Sequence, residues 1–225
     1  MEPAETLAGV PSEFWLECTE CNSYINTYKP QPHQMAVHKD NTLYVMNAGG
    51  YGTGKTLTTR QEVYKHILIT PNANVLIGAR ITPQYEQTIK RDIEQDFPKS
   101  LVARVNKQKS FIDFVNGARL MFRPFDDPDK LRSLNLSMFV IIEASETTPD
   151  TFHQLKTRLR NQEAFTSTHD WRKGIIESNP GAGWIRSDVL LNAETINTYG
   201  STVEQHPTRL TPDPNISVHI VSTDS

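Results

Sequence analysis

A glycine-rich octapeptide carries the clearest chemical signal in the chain. It matches the pattern G-x-x-x-x-G-K-[ST] and consists of Gly49, Gly50, Tyr51, Gly52, Thr53, Gly54, Lys55 and Thr56. Glycines at this spacing let backbone N–H groups converge on phosphate oxygens, and the start of the following helix adds a positive dipole end. In such a loop the lysine bridges the β- and γ-phosphates, and the hydroxyl, here Thr56, binds Mg²⁺. We therefore predict a site for ATP and Mg²⁺ in which Lys55 also serves catalysis.

Glu143 is the candidate for the acidic half of such a site. It follows a continuous apolar run at 137–142, which is typical of a strand buried on both faces. An Asp-Glu pair is usual here, with the Asp holding Mg²⁺ through water and the Glu activating the nucleophile, but Ile142 stands in the Asp position. Two interpretations remain open. Either Glu143 is the general base and the metal relies on Thr56, phosphates and water, or Glu143 binds the metal and Glu146 assists the water. We favour the first.

Three further polar residues are candidates for the nucleotide site. Gln34 lies upstream of the loop, and its amide can offer both a donor and an acceptor to adenine. Asn179, within Ser178-Asn-Pro, lies at the end of the predicted strand that follows the acidic one and is a candidate contact near the γ-phosphate. Arg132 is a candidate arginine finger for a neighbouring subunit's nucleotide. Structural roles compete in each case: a loop glutamine, an Asn-Pro turn and a surface charge.

A zinc site is a minor alternative near the N-terminus. Nearly the spacing of a zinc finger is formed by Cys18, Cys21, His33 and His38. However, Pro30 and Pro32 interrupt the helix that would carry the histidines, and the surroundings of Gln34 are assigned to the nucleotide. We therefore do not expect zinc.

The elements that position these residues alternate between short apolar runs and helical stretches, which indicates βαβ units and a mostly parallel sheet flanked by helices. We predict strands at 42–47, 74–79, 137–142 and 174–178, and helices at 56–68, 83–97 and 150–161, the last capped by Asp150. Asn116-Gly117 predicts a two-residue hairpin turn that adds antiparallel strands at 110–115 and 118–123. A final extended segment at 216–222 has no evident partner. The fold class is α/β, a P-loop NTPase of the RecA-like (ASCE) type.

Composition limits the remaining possibilities. The chain has 225 residues, 37% of them hydrophobic, which suits one main core. No apolar run approaches the roughly 20 residues of a membrane helix, the N-terminus does not resemble a secretory signal, and two cysteines cannot form a disulfide framework. We therefore expect a cytosolic protein. The net charge of -3 argues against a basic coat for nucleic acid, and the basic residues between Arg104 and Arg132 favour a solvated face over a DNA contact.

Taken together, these segments resemble the ATPase domain of the large terminase subunit of tailed bacteriophages, the motor that packages DNA into a preformed capsid. The resemblance covers roughly residues 30–222. It rests on the order of the segments: a Pro-x-Pro-x-Gln lead, the loop, the Asn-Gly hairpin, Leu-Arg-Ser-Leu-Asn-Leu-Ser at 131–137, the acidic segment at 143–160 and Ser-Asn-Pro-Gly-Ala-Gly-Trp-Ile at 178–185.

The resemblance implies a coupling motif at 178–180, an adenine contact at Gln34 and an intersubunit arginine at Arg132. It further implies a homo-oligomeric ring of five subunits docked on the portal protein of a procapsid in the host cytoplasm, with double-stranded DNA and the small terminase subunit as partners and no membrane. The domains would be a lead with the adenine contact at 1–40, the ATPase core at 41–210, and at 211–225 the start of a linker toward a nuclease domain that this chain lacks. Two residues depart from the family's pattern: Tyr51, where an Arg is frequent, and Ile142, where an acid is usual.

Two other functions compete with this one. A superfamily-two helicase shares the adenine glutamine and the loop, but it needs a second RecA-like domain for which the chain is too short. A nucleotide-binding assembly module with little turnover stays open because of Ile142. We expect an ATP-hydrolysing DNA-translocating motor domain without nuclease activity.

Overall fold

The computed structural model describes residues 28–161, 172–181, 183–200 and 212–221. Within these ranges, nine strands form one sheet in the order β3-β4-β5-β2-β6-β7-β1-β9-β8. The strands are β1 (Tyr44–Gly49), β2 (Asn74–Ala79), β3 (Val102–Asn106), β4 (Phe111–Phe114), β5 (Arg119–Pro124), β6 (Met138–Ile141), β7 (Lys173–Ser178), β8 (Ala193–Tyr199) and β9 (Asp213–Val221). In this order, every neighbouring pair from β5 across the sheet to β8 at the far edge is parallel, whereas β4 pairs antiparallel with both β3 and β5. The predicted α/β class with a mostly parallel sheet is confirmed.

Helices flank this sheet. The α-helices are α1 (Pro32–Lys39), α2 (Lys55–Ile69), α3 (Thr82–Tyr85), α4 (Arg91–Asp96) and α5 (Pro149–Arg158). A π-helical turn at Glu86–Lys90 joins α3 to α4, so the helix predicted at 83–97 is interrupted rather than regular. Further short turns are the 3₁₀ segments Lys99–Leu101, Pro128–Leu131, Ala144–Glu146 and Leu190–Asn192 and a π-helical turn at Ile185–Val189. Among the described residues, no helix has both the length and the apolar character needed to cross a bilayer.

The sheet divides the hydrophobic core into two layers. On one face, Val63 of α2 belongs to the same buried cluster as Val140 and Ile175. On the opposite face, Phe152 of α5 packs against Phe139, with the ring centroids 6.4 Å apart. Successive side chains of a strand point to opposite faces, so each central strand contributes to both layers. This explains why β1 and β6 are buried along their whole length and why β6 is a continuous apolar run.

The turn of the hairpin differs from the prediction. Gly117 has φ 84°, whereas Asn116 is not among the residues with positive φ. The Phe114 N–H donates to the Ala118 carbonyl at 2.9 Å, so the loop spans three residues and ends in a left-handed glycine. The hairpin is confirmed, but the two-residue turn is wrong; this is the three-residue loop with a glycine bulge.

The side chain of Asn116 explains this choice. Its Nδ2 donates to the Ile67 carbonyl in the last turn of α2 at 2.8 Å. A Cβ on Gly117 would lie 2.1 Å from Oδ1 of Asn72, so a larger residue would have to displace that side chain and would also strain the backbone at φ 84°. Asn116 thus caps the end of α2, the helix that begins at the glycine-rich loop.

The start of α5 also corrects a prediction. Asp150 is the second residue of the helix, and Thr148 is the N-cap. The Thr148 hydroxyl accepts from the Thr151 N–H at 3.4 Å, while Pro149 occupies the first helical position. Proline at this position needs no amide hydrogen, which moves the cap one residue before it.

Strand β9 has partners that the sequence did not reveal. It lies between β1 and β8, with Ile216 beside Tyr44 and Val221 beside Gly49. The expectation that this segment has nothing to pair with is therefore wrong, because the edge of β1 away from β7 accepts it. The linker toward a nuclease domain stays a prediction.

Candidate nucleotide-binding site

The glycine-rich loop connects the end of β1 to the start of α2. Gly52 has φ 80° and Gly54 has φ 78°, a region that L-residues with a side chain rarely adopt. The Thr53 hydroxyl donates to the Gly50 carbonyl at 3.0 Å, which closes the loop on itself. Tyr51 is 99% exposed at the tip. The loop thus has the strand–turn–helix context that phosphate binding requires.

Lys55 and Asn179 are brought together across this loop. The Lys55 Nζ donates to the carbonyls of Gly49 at 2.9 Å and Gly50 at 2.8 Å, and it lies 3.5 Å from Oδ1 of Asn179. These are neutral acceptors for a full positive charge, weaker partners than phosphate oxygens. The ammonium group is therefore held at the mouth of the loop by contacts that an anion can replace.

Thr56 contacts an acid that the sequence reasoning missed. Its Oγ1 donates to Oε1 of Glu177 on β7 at 2.6 Å. Glu177 is only 1% exposed, and its other oxygen, Oε2, has no hydrogen-bond partner among the described residues. Burial raises the pKa of Glu177, while the Thr56 hydroxyl, the nearby Thr59 hydroxyl and the charge of Lys55 act in the opposite direction, and the charge of Glu143 raises the pKa further. A glutamate directly after Ile175 and Ile176 in a predicted strand was the available signal, since a glutamate is almost never fully buried without a role or a partner.

Glu143 follows directly after the buried run of β6. Its backbone is left-handed, with φ 48° and ψ 52°, a conformation that is strained for a non-glycine residue and is frequent at functional sites. Its half-buried carboxylate makes no hydrogen bond or ion pair with the described part of the chain. Glu146, by contrast, is exposed and accepts a hydrogen bond from Nε2 of Gln84 at 2.6 Å. Of the two acids, Glu143 is the one whose carboxylate is not engaged by any described residue.

A hydroxyl joins the two strand ends that carry Glu143 and Asn179. Ser178 Oγ accepts from the Ser145 N–H at 3.2 Å and donates to the Asn179 carbonyl at 3.1 Å. The segment after β6 and the segment after β7 are therefore fixed to each other.

Gln34 lies beside the loop, on α1. It is 4% exposed, and its Oε1 accepts from the Gln31 N–H at 2.8 Å while its Nε2 lies 3.5 Å from the Gly54 carbonyl. A cavity of about 420 Å³ opens between α1 and the loop. Its lining includes Lys29, Gln31, His33, Gln34, Tyr51 and Val221. Gln34 thus forms a wall of the cavity with both ends of its amide used by backbone groups.

Arg132 is not brought to the loop. Its side chain is 65% exposed and pairs with Asp129 at 2.8 Å, and its carbonyl accepts from the Arg158 guanidinium. Of the other basic residues in this stretch, Arg119 pairs with Asp113 and Lys130 with Asp126. These three pairings agree with a solvated face.

The zinc alternative gains no support where the chain is described. Cys18 and Cys21 lie outside the described residues. The ring nitrogens of His38 are engaged by the Tyr28 hydroxyl at 3.0 Å and by Glu62 at 2.6 Å, while His33 contacts the Thr53 carbonyl at 3.2 Å. Across residues 28–161, 172–181, 183–200 and 212–221, no group of three or more His, Cys, Asp or Glu side chains is arranged to hold a metal.

Two buried ionisable side chains, Glu62 and His66, lie on α2, the helix that follows the glycine-rich loop. The Glu62 carboxylate bonds His38 at 2.6 Å and Lys173 at 2.7 Å. Although burial disfavours its charged form, Lys173 and His38 hold the pKa of Glu62 well below its usual range. Nearby, burial lowers the pKa of His66 to about 3, and its ring contacts the Ser137 hydroxyl at 2.9 Å. The domain therefore keeps one buried acid charged and one buried histidine neutral.

Comparison with known proteins agrees with this arrangement. A family described as phage terminase large subunit matches residues 41–206. The chain is 30% identical over 124 residues to the PBSX phage terminase large subunit of Bacillus subtilis (strain 168), a match that covers 53% of this chain and 28% of that protein. The chain thus spans little more than a quarter of the length of that relative.

Solved structures share the fold. The large terminase ATPase domain of Thermus phage P74-26 aligns with a TM-score of 0.64 and 16% identity, covering 88% of this chain and 82% of that one. The large terminase of a thermophilic bacteriophage, solved in complex with ADP, gives 0.54 and 13%, covering 72% and 39%. The HK97 bacteriophage large terminase gives 0.52 and 15%, covering 67% and 33%.

Proposed function

Since the chain belongs to the phage terminase large subunit family, we propose that it is the ATP-hydrolysing motor domain of such a subunit and moves double-stranded DNA into a procapsid. The observation that carries this proposal is the ammonium group of Lys55, held at the mouth of a glycine-rich loop within 3.5 Å of the Asn179 side chain. Solved relatives support the choice of nucleotide, because the large terminase of the thermophilic bacteriophage is known in complex with ADP and with ATP-γ-S.

The loop and α1 would bind ATP between them. Backbone N–H groups from Gly50 to Thr56 surround the phosphates, and Lys55 exchanges its loop carbonyls for phosphate oxygens. For Gln34 to meet adenine, its amide must release the Gln31 N–H and the Gly54 carbonyl. Adenine binding is then felt directly by the loop, since Gly54 is the residue before Lys55.

Oxygen ligands for Mg²⁺ are present beside the phosphates. The Thr56 hydroxyl and the Glu177 carboxylate lie 2.6 Å apart, and Oε2 of Glu177, which has no hydrogen-bond partner in the described part of the chain, suits a hard cation or its bound water. When bound, Mg²⁺ neutralises charge that develops on the phosphate oxygens. Thr56 would be its direct protein ligand.

Glu143 would act as the general base. Among the described residues its carboxylate has no hydrogen-bond or ion-pair partner, whereas Glu146 accepts a hydrogen bond from Gln84, and this difference supports the first of the two interpretations that the sequence left open. A general base must accept a proton from the attacking water, which a carboxylate without other partners can do.

The same residues suggest how hydrolysis is coupled to movement. Loss of the γ-phosphate removes a partner of Lys55. The Lys55 ammonium group can then move and displace the Asn179 side chain, which it contacts at 3.5 Å. Ser178 passes this shift to Ser145 in the segment after Glu143. The segment at 178–180 is therefore the proposed coupling motif.

Assembly would complete the machine. Arg132 is exposed and does not reach its own loop, which fits a role at the nucleotide of a neighbouring subunit. We further propose a homo-oligomeric ring of five subunits on the portal of a procapsid in the host cytoplasm, working with the small terminase subunit. The proposed domain plan keeps the lead at 1–40, the ATPase core at 41–210 and the start of a linker to a nuclease domain at 211–225.

A steady-state ATPase assay with and without DNA, over protein concentrations that span assembly, tests this function. We expect turnover in the wild type and none in Lys55→Ala. Undiminished hydrolysis by that variant would refute the site, and nucleotide binding without turnover by the wild type at any concentration would favour the assembly module. A circular dichroism melt of both proteins controls for folding.

A further inference from the structure

Ile142 occupies the place where an acid is expected, and the sheet shows what lies next to it. Strands β6 and β7 are parallel, with Ile141 beside Ile176. One residue further along, the same register sets Ile142 beside Glu177. The two residues therefore stand at the same level of the sheet on neighbouring strands.

Both side chains point to the same face. Ile142 belongs to the buried cluster that also contains Val140, Ile175 and Val63 of α2. Since side chains alternate along a strand, Glu177 shares the face of Ile175, two residues before it. Its hydrogen bond to Thr56, at the start of α2, agrees with this direction.

Burying the Glu177 carboxylate has a desolvation cost, which indicates that the charge has a function. Ile142 is 3% exposed and Glu177 is 1% exposed, so the apolar residue fills its position and the acid lies entirely inside the protein. Among the described residues only Oε1 of the carboxylate makes a hydrogen bond; the Thr59 hydroxyl lies near enough to lower the pKa of Glu177 but does not form a hydrogen bond with Oε2. A glutamine would bond Thr56 equally well at lower desolvation cost, so bonding the hydroxyl alone does not call for a carboxylate.

We propose that Glu177, on β7, takes over the role in metal binding that an acid at position 142 would have. On the basis of the proposed ATPase function, Glu177 orients the Thr56 hydroxyl toward Mg²⁺ and supplies the negative charge that an acid at position 142 would supply one strand away. Partners in the second coordination sphere tune metal affinity in this way. Glu143 is thereby left free to serve as the base.

Magnesium-dependent binding tests this role without relying on hydrolysis. A fluorescent, slowly hydrolysed ATP analogue is titrated first in EDTA and then at rising Mg²⁺ concentration. For Glu177→Gln we expect binding in EDTA close to wild type and an apparent Mg²⁺ affinity about 10–100-fold weaker. Glu143→Gln is measured in parallel, because it removes the carboxylate to which the alternative interpretation assigns the metal. Glu194→Gln, which removes an exposed carboxylate on β8, is the control and should keep the Mg²⁺ affinity of the wild type.

A double variant tests the relocation itself. Adding Ile142→Asp to Glu177→Gln returns a carboxylate to the same face one strand away, and we expect it to recover part of the lost Mg²⁺ affinity. Thermal melts report whether each variant folds. If Glu177→Gln does not fold, Glu177→Asp withdraws the carboxylate by one methylene and should weaken Mg²⁺ binding while leaving binding in EDTA unchanged.

The outcomes separate this inference from the function on which it rests. Unchanged Mg²⁺ affinity in the folded Glu177 variants overturns the inference, as does a loss confined to Glu143→Gln, which would assign the metal to Glu143. Failure of the wild type to bind the analogue under any condition would instead refute the proposed nucleotide site.

Discussion

Adding one methyl group at Gly54 tests whether Gln34 and the phosphate loop act as a unit. A Cβ at position 54 would lie 2.7 Å from Nε2 of Gln34, too close for the amide to stay in place. Gly52 offers a matched control, since its φ of 80° is nearly that of Gly54 and nothing lies within 4 Å of its hypothetical Cβ. Both substitutions to Ala carry the same backbone strain, and only Gly54→Ala displaces the glutamine.

The expected magnitudes follow from these contacts. Left-handed backbone costs an alanine about 1–2 kcal/mol, and this cost is common to both variants. At position 54 the displaced amide also loses its bonds to the Gln31 N–H and the Gly54 carbonyl, each worth about 0.5–1.5 kcal/mol. We therefore expect Gly54→Ala to lower the free energy of unfolding by about 1–3 kcal/mol more than Gly52→Ala.

Two measurements read out the difference. Urea denaturation compares the free energies of unfolding, and competition between ATP and GTP for the fluorescent analogue reports adenine selectivity. Because one hydrogen bond of about 1 kcal/mol is worth roughly fivefold in affinity, we expect the ATP preference to fall by about that factor in Gly54→Ala and to persist in Gly52→Ala. Equal stability and equal selectivity of the two variants would refute the coupling of Gln34 to the loop.

Three further outcomes are expected. Glu143→Gln should bind ATP as the wild type does and hydrolyse it about 10²–10⁴-fold more slowly, whereas normal turnover would transfer the role of base to Glu146. Because the pKa of His66 is lowered to about 3, its contribution to stability is complete above an unfolded pKa of about 6.5 and is lost as the pH falls below it. Urea titrations should lose about 2 kcal/mol from this source between pH 7 and 5, and His66→Gln should lack that slope. Mixing Arg132→Ala with Lys55→Ala should restore some hydrolysis through hybrid sites if the arginine acts between subunits; no recovery under conditions of proven assembly argues against it.

The parts of the site that are contiguous in sequence could be predicted from it. The loop from Gly49 to Thr56 forms the expected turn between a strand and a helix, and β2 has the predicted bounds, Asn74–Ala79. Glu143 lies where the apolar run ends. Each of these depends on local spacing, which the sequence states directly.

Features set by pairing between distant segments escaped prediction. The role proposed for Glu177 depends on the strand register, which places Glu177 beside Ile142 and under α2. Neither neighbour can be deduced from the sequence of one strand alone. Likewise, β9 has partners only because β1 offers a second edge. The N-cap of α5 was missed because Pro149 occupies the first helical position, which makes Thr148 the cap in place of the predicted Asp150.

The side chain of Asn116 makes the hairpin part of the nucleotide site's mechanics. It holds the Ile67 carbonyl near one end of α2, and Lys55 is the first residue at the other end. At about 1.5 Å per residue, α2 is a rod of roughly 22 Å that resists compression along its axis. We therefore expect a displacement of the turn between β4 and β5 to be transmitted along the axis of α2 to the phosphate loop, and a change at the loop to reach that turn by the same route.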